Sequence, residues 1–100
     1  DPHGPTLDAL RRACEERCKL ALTYRDLDDR LSVRTVRPLA CLYWGQVWTL
    51  AAWCELRDDF RSFRIDRIAS ARALDRRFTL EPGRSLPELF RRHGIKLPAG

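Results

Sequence analysis

Long apolar runs are missing from this 100-residue chain: no stretch approaches the roughly 18 to 20 residues that a membrane-crossing helix needs. The N-terminus has no charged-apolar-small leader pattern, so the expectation is a soluble, cytoplasmic protein with no membrane partner. Lysine is also scarce. Only Lys19 and Lys96 contribute to the 19 basic residues, and the other 17 are arginine. The cysteines never adopt the Cys-x-x-Cys spacing of zinc or redox sites, and no other metal-ligand spacing or glycine-rich phosphate loop occurs. His3 and His93 stand near the two ends without an evident nucleophile or carboxylate partner. A hydrolytic constellation therefore cannot be assembled, and the expectation is a protein that is not an enzyme and uses no cofactor.

What is present suits one folded domain. A chain of this length, 44% apolar and 33% charged, can build one modest core and is too apolar for disorder. The net charge of +5 permits an anionic partner without requiring one. High-GC codon usage would enrich arginine as phosphate-binding chemistry does, so only the positions of individual arginines carry information. Cys14, Cys18, Cys41 and Cys54 read as small apolar side chains rather than ligands or a disulfide framework.

Asp1 to Pro5, with two prolines and a glycine, reads as a linker stub. Thr6 is suited to cap a helix with Asp8 in its first turn and Leu7, Leu10, Cys14 and Cys18 along one face. From Leu20 the period changes to two. Leu20, Leu22 and Tyr24 alternate with Ala21, Thr23 and Arg25, Asp28-Asp29 makes a turn, and Leu31, Val33 and Thr35 alternate with Ser32, Arg34 and Val36, which is a hairpin. Pro38 marks a bend before a further strand, Leu39 to Trp44.

Gly45-Gln46 is a two-residue turn that pairs Trp44 with Val47 and Leu42 with Thr49. On that register Leu39, Cys41 and Tyr43 share a buried face with Trp48, Leu50, Ala52 and Cys54, with Trp48 and Leu50 as core residues. After a charged turn at Arg57-Asp58-Asp59 comes a strand from Phe60 to Ile65. A short helical turn capped by Asp66 and a last strand, Ala71 to Phe78, follow. Ser85-Leu86-Pro87-Glu88 has the form of a capping box and opens a short helix ending at Gly94, with a loose tail beyond. Arg11, Arg12, Arg91 and Arg92 read as solvated helix faces. One helix followed by five or six short strands points to a mainly β, α+β fold built on a strongly bent small antiparallel sheet or barrel.

The densest functional signal runs from Val47 to Ile68. There the aromatic strand around Trp48-Thr49-Leu50 precedes Arg61-Ser62-Phe63-Arg64-Ile65-Asp66-Arg67-Ile68. Rigid bidentate guanidiniums at Arg61, Arg64 and Arg67 suit phosphate or carboxylate recognition. Strand parity sets Arg61 and Arg64 on opposite faces, so their convergence calls for a bulge or bend near Phe63. The bland alternative pairs Arg67 with Asp59 or Asp66 and leaves the other two arginines solvated.

These segments, together with Leu22-Thr23-Tyr24 and Val36-Arg37-Pro38-Leu39, resemble the WYL domain of bacterial transcriptional regulators over roughly residues 7 to 80. The resemblance implies an Sm-like small β-barrel of about five strands behind an N-terminal helix, in an effector domain spanning 6–80; the C-terminal helix and tail at 81–100 lie beyond it. It also implies ligand sensing on behalf of an attached helix-turn-helix domain that binds promoter DNA. The effector would be single-stranded DNA or another nucleotide-derived anion. Where the family motif has Tyr, this sequence has Thr49, which keeps a hydroxyl and loses an aromatic face for base stacking. Trp44 and Trp53 share the Thr49 face and are candidates to replace that surface. The expected ligand-binding set is Thr49, Trp53, Arg61, Arg64 and Arg67. A homodimer is compatible with a two-fold operator. The alternative is a protein-interaction or dimerisation module, in which Trp44 and Trp53 form one apolar patch rimmed by arginines.

Overall fold

The computed structural model describes residues 4–92; Asp1 to His3, the expected helix end at Gly94 and the tail lie outside the described residues. Helix α1 spans Gly4–Glu16 and is followed by strands β1 (Cys18–Arg25), β2 (Leu31–Tyr43), β3 (Trp48–Cys54) and β4 (Asp59–Arg64). A 3-10 turn at Ile65–Arg67, strand β5 (Ile68–Arg77) and helix α2 (Leu86–Arg92) complete the order.

Several local expectations shift. Helix α1 begins at Gly4, ahead of Thr6, so Asp8 falls beyond its first turn. Arg17 takes a positive φ of 54° and ends the helix, and Cys18 therefore opens β1 instead of extending the helical stripe. The stripe is completed by Ala13, with Leu7 and Leu10. Pro38 does not split the sheet into two strands. β2 runs through it with a register shift between Pro38 and Ala40, a bulge at the place where proline has no N–H to give the ladder. That bulge turns the buried Pro38 toward Ala52 in place of Leu39. The Gly45 turn has the anticipated register: the Trp44 N–H donates to the Val47 carbonyl at 2.9 Å, and Leu42 faces Thr49. Tyr43, at the hairpin end, is exposed, and Trp48 is half-buried at the margin of the core. Asp66 lies inside the 3-10 turn, which has Arg64 at its N-cap and no side-chain cap bond.

The five strands form one antiparallel sheet in the order β4-β3-β2-β1-β5. In a flat sheet β4 and β5 would stand about 19 Å apart, yet the four residue steps from Arg64 to Ile68 reach at most about 14 Å. The sheet must therefore roll until its two edges approach. Tyr24 of β1 shows this, because its hydroxyl accepts the Arg64 N–H of β4 at 3.1 Å and its ring meets Phe63 edge-on at 5.1 Å. No ladder joins β4 to β5 among the described residues, so the closed barrel expected from the sequence is instead an open, rolled sheet.

The core fills the inside of the roll. Leu20, Leu22, Val36, Leu50, Ala52, Cys54 and Phe63 are all buried there beneath Leu7, Leu10 and Ala13 of α1. Both faces of β3 are covered. Ala51 and Trp53 point outward, yet they are buried as well. The Arg84 guanidinium lies over the Trp53 ring at 4.9 Å, and Phe60 meets that ring edge-on at 5.1 Å. Arg92 of α2 stacks on Phe60 at 5.2 Å and pairs with Asp59 at 2.9 Å, so it is a tether and not a solvated decoration.

Candidate functional site

Along the free edge of β4 the roll opens into a cleft of about 640 Å³ bounded by the β1–β2 hairpin. Six arginines line it: Arg30, Arg34, Arg57, Arg61, Arg64 and Arg67. Only two carboxylates, Asp26 and Asp28, oppose them. Local structure already occupies part of Asp26: its Oδ1 accepts the N–H groups of Asp28 and Arg30, both at 2.9 Å, and shapes the hairpin turn. The cleft is thus strongly biased toward anions.

The three expected arginines meet there without any bulge. The β3–β4 register is unbroken from Cys54↔Asp59 to Thr49↔Arg64, so Arg61 does stand on the inner face with Ala52, and Arg64 on the outer face with Thr49. They converge because β4 is an edge strand, and side chains from both of its faces border the space beside it. Arg61 is held over the Phe63 ring at 5.2 Å and the Tyr24 ring at 5.8 Å, an arrangement that fixes the guanidinium plane. Among the described residues it has no hydrogen-bonded acceptor. Arg67 donates to the Asp26 carbonyl at 3.0 Å, so neither Asp59 nor Asp66 is its partner.

Arg64 forms a two-point pair with Asp66, Nε to Oδ1 at 3.1 Å and Nη2 to Oδ2 at 2.9 Å. The Arg64 hydrogen bond holds the Asp66 carboxyl below its ordinary value. Asp66 is therefore an orienter of Arg64, and that carboxylate already meets part of the charge of Arg64.

Thr49 and Trp53 lie outside the cleft lining. The Thr49 hydroxyl accepts the indole N–H of Trp44 at 2.8 Å, and Trp53 is buried beneath Arg84 and Phe60. Arg34 is the main addition. Its strand alternates Leu31 and Val33 with Ser32 and Arg34, which makes the leucine and valine look like the inward set. Pairing of Leu22 with Arg34 and of Leu20 with Val36 decides otherwise: Arg34 faces inward, while Leu31 and Val33 are exposed. No sequence signal marks Arg34. Arg30 and Arg57 come from turns, and only the rolling of the sheet brings them to the cleft.

Among the described residues, three buried guanidinium nitrogens have no hydrogen-bond partner, namely Arg34 Nε, Arg61 Nη1 and Arg67 Nε, and all three belong to residues lining this cleft. A buried donor left without an acceptor costs about 1–3 kcal/mol, and these three stand around one arginine-lined space. Among the described residues no group of three or more His, Cys, Asp or Glu side chains could hold a metal. Nor is any helix there long and apolar enough to cross a membrane.

A family model described as the WYL domain matches residues 5–73. Among solved structures, the proteasome accessory factor B/C (PafBC) of Arthrobacter aurescens superposes with a TM-score of 0.72 at 28% sequence identity. The superposition covers 76% of this chain and only 12% of PafBC, so the similarity is to one segment of a much longer protein. With the family model spanning α1 and all but the end of the sheet, the chain belongs to the WYL domain family.

Proposed function

We propose that this WYL domain senses an anionic, nucleic-acid-derived effector, single-stranded DNA first among them, on behalf of a bacterial DNA-binding transcription regulator. The observation that carries the reading is the set of unpartnered buried nitrogens on Arg34, Arg61 and Arg67 around one open cleft. Phosphate groups supply the acceptors that planar guanidiniums match best. An open cleft at a strand edge, lined by six arginines, suits a chain of phosphates better than it suits an enclosed small molecule. In the intact regulator, occupancy would act by favouring one arrangement of the attached promoter-binding helix-turn-helix domains, in a homodimer reading a two-fold operator. The chemistry asked of the domain is binding alone, in a regulator of cytoplasmic DNA. The Sm-like character of the fold enters at this level, as a rolled sheet whose open side serves as the binding side.

The alternative, a protein-interaction module, predicts a single apolar patch made by Trp44 and Trp53. Trp53 is 5% exposed and Trp44 55%, and the two do not form such a patch.

The test is titration of fluorescein-labelled single-stranded DNA into the 100-residue chain at two salt concentrations, with an Arg34→Gln/Arg61→Gln variant alongside. Three phosphate contacts give a slope of log K against log salt of about −2, hence about 18-fold weaker binding when salt rises fourfold. Removing two contacts reduces the slope to about −0.7. Absence of binding at low salt by a folded chain would refute the nucleic-acid reading and favour a small-molecule anionic effector.

A further inference from the structure

The three tryptophans are used differently. Trp48 carries the Arg11 guanidinium at 5.1 Å and is packed against Tyr43 at 5.0 Å. Trp53 carries Arg84 and Phe60. Trp44 has no aromatic or guanidinium group stacked on it among the described residues, and it is 55% exposed. A large apolar ring left open on a hairpin is ordinary when it is loosely attached. This one is fixed, because its indole N–H donates to Thr49 Oγ1 at 2.8 Å. Its own backbone N–H also closes the hairpin on Val47.

Thr49 in turn stands directly opposite Arg64 in the β3–β4 ladder, and Arg64 lines the cleft. Side chains of directly paired residues begin about 5 Å apart. The free indole face is thus a near neighbour of the cationic cleft, on the outer side of the same edge.

We infer that Trp44, oriented by Thr49, is a stacking site for a nucleobase of a single strand whose phosphates lie at Arg64 and the cleft beyond. The inference rests on the nucleic-acid reading of the cleft. It assigns a role to the Thr49 position: in place of an aromatic ring the chain carries a hydroxyl acceptor that sets the plane of an aromatic ring from the hairpin turn beside it. Every base presents a π-face, so the site favours bases over a bare sugar-phosphate chain without strong sequence choice.

The experiment compares binding of oligo-dT with that of an abasic strand of equal length, by anisotropy, for the unaltered chain and for Trp44→Ala, Trp44→Phe, Thr49→Val and Thr49→Ser. The expected result is that the unaltered chain prefers oligo-dT by about 5- to 160-fold, the range that stacking one base on an aromatic ring supplies. Trp44→Ala loses that preference while its abasic-strand affinity stays unchanged, and Trp44→Phe, which keeps a ring without the indole N–H, weakens it to about the extent that Thr49→Val does. Thr49→Val weakens the preference and Thr49→Ser retains it. Thr49→Val has no further effect in the Trp44→Phe background, which has no indole N–H to hold.

Because Trp44 is exposed, its substitution should leave the urea midpoint in place, and that measurement separates loss of stacking from loss of fold. Equal binding of both strands by the unaltered chain, or a base preference that survives Trp44→Ala, would overturn the stacking site while leaving the cleft reading intact. Failure of the folded chain to bind either strand would overturn the cleft reading and this inference with it.

Discussion

Replacing Tyr24 by Phe removes one oxygen from the molecule and isolates the contact that bridges the open side of the sheet. The ring stays: its edge-on packing with Phe63 at 5.1 Å and its place under Arg61 are available to Phe as well. What goes is the acceptor for the Arg64 N–H, which points away from β3 across the gap to the Tyr24 hydroxyl at 3.1 Å. A neutral hydrogen bond of this kind contributes about 0.5–1.5 kcal/mol, and a buried donor left alone costs about 1–3 kcal/mol. Arg64 is exposed enough for water to take over the amide, so the lower end applies, about 1 kcal/mol. For a domain of this size that lowers the melting temperature by about 4–8 °C.

The decisive readout is local. Amide exchange at Arg64, measured by NMR, should accelerate about fivefold, the factor that corresponds to about 1 kcal/mol, beyond any change at Leu22 or Leu50 in the ladders. If the Arg64 amide exchanges in Tyr24→Phe as it does in the unaltered chain, the hydroxyl bridge does not hold the roll, and packing of Phe63 alone must do so.

Two further outcomes follow from contacts outside the cleft. Burial by itself would raise the Glu55 carboxyl, but hydrogen bonds from Lys19 at 2.7 Å and Arg37 at 3.0 Å outweigh it and hold the group below its usual value. A depressed carboxyl contributes stability that is complete above its unfolded pKa and is lost as pH falls through the folded one, so Glu55→Gln should flatten the acid limb of a stability profile below about pH 5. An unchanged acid limb would place the acid sensitivity elsewhere. Arg84→Ala strips the guanidinium from Trp53 and breaks ion pairs to Glu81 and Asp58. It should cost about 0.5–1 kcal/mol in urea unfolding and shift tryptophan emission to the red; unchanged emission would mean that Trp53 is shielded without Arg84.

Much of the fold could be read from local rules because those rules are local in cause. Period-two alternation marked Leu20, Leu22 and Tyr24 as one face of a strand, and that face is buried. The Gly45 turn fixed the β2–β3 register through the positive φ, 95°, that a side-chain-free residue accepts readily. Where the reading failed, the competing cause was tertiary. Cys18 continued a helical period, but Arg17 turned the chain into β1. Trp53 looked available on an outer face, and a segment thirty residues later in the chain covered it.

The helix-then-sheet order, the hairpin register at Gly45 and the arginine run at 61–67 were legible before any folding, since each depends on residues within a few positions of one another. Long-range packing settles that the sheet stays open, that Arg61 and Arg64 converge from opposite faces of an edge strand, and that Arg34 joins them while Trp53 is covered. Those outcomes depend on which strand ends at an edge and on how far the sheet rolls. Both are set by the three-residue link between β4 and β5 and by packing among residues distant in sequence, and no local pattern encodes either.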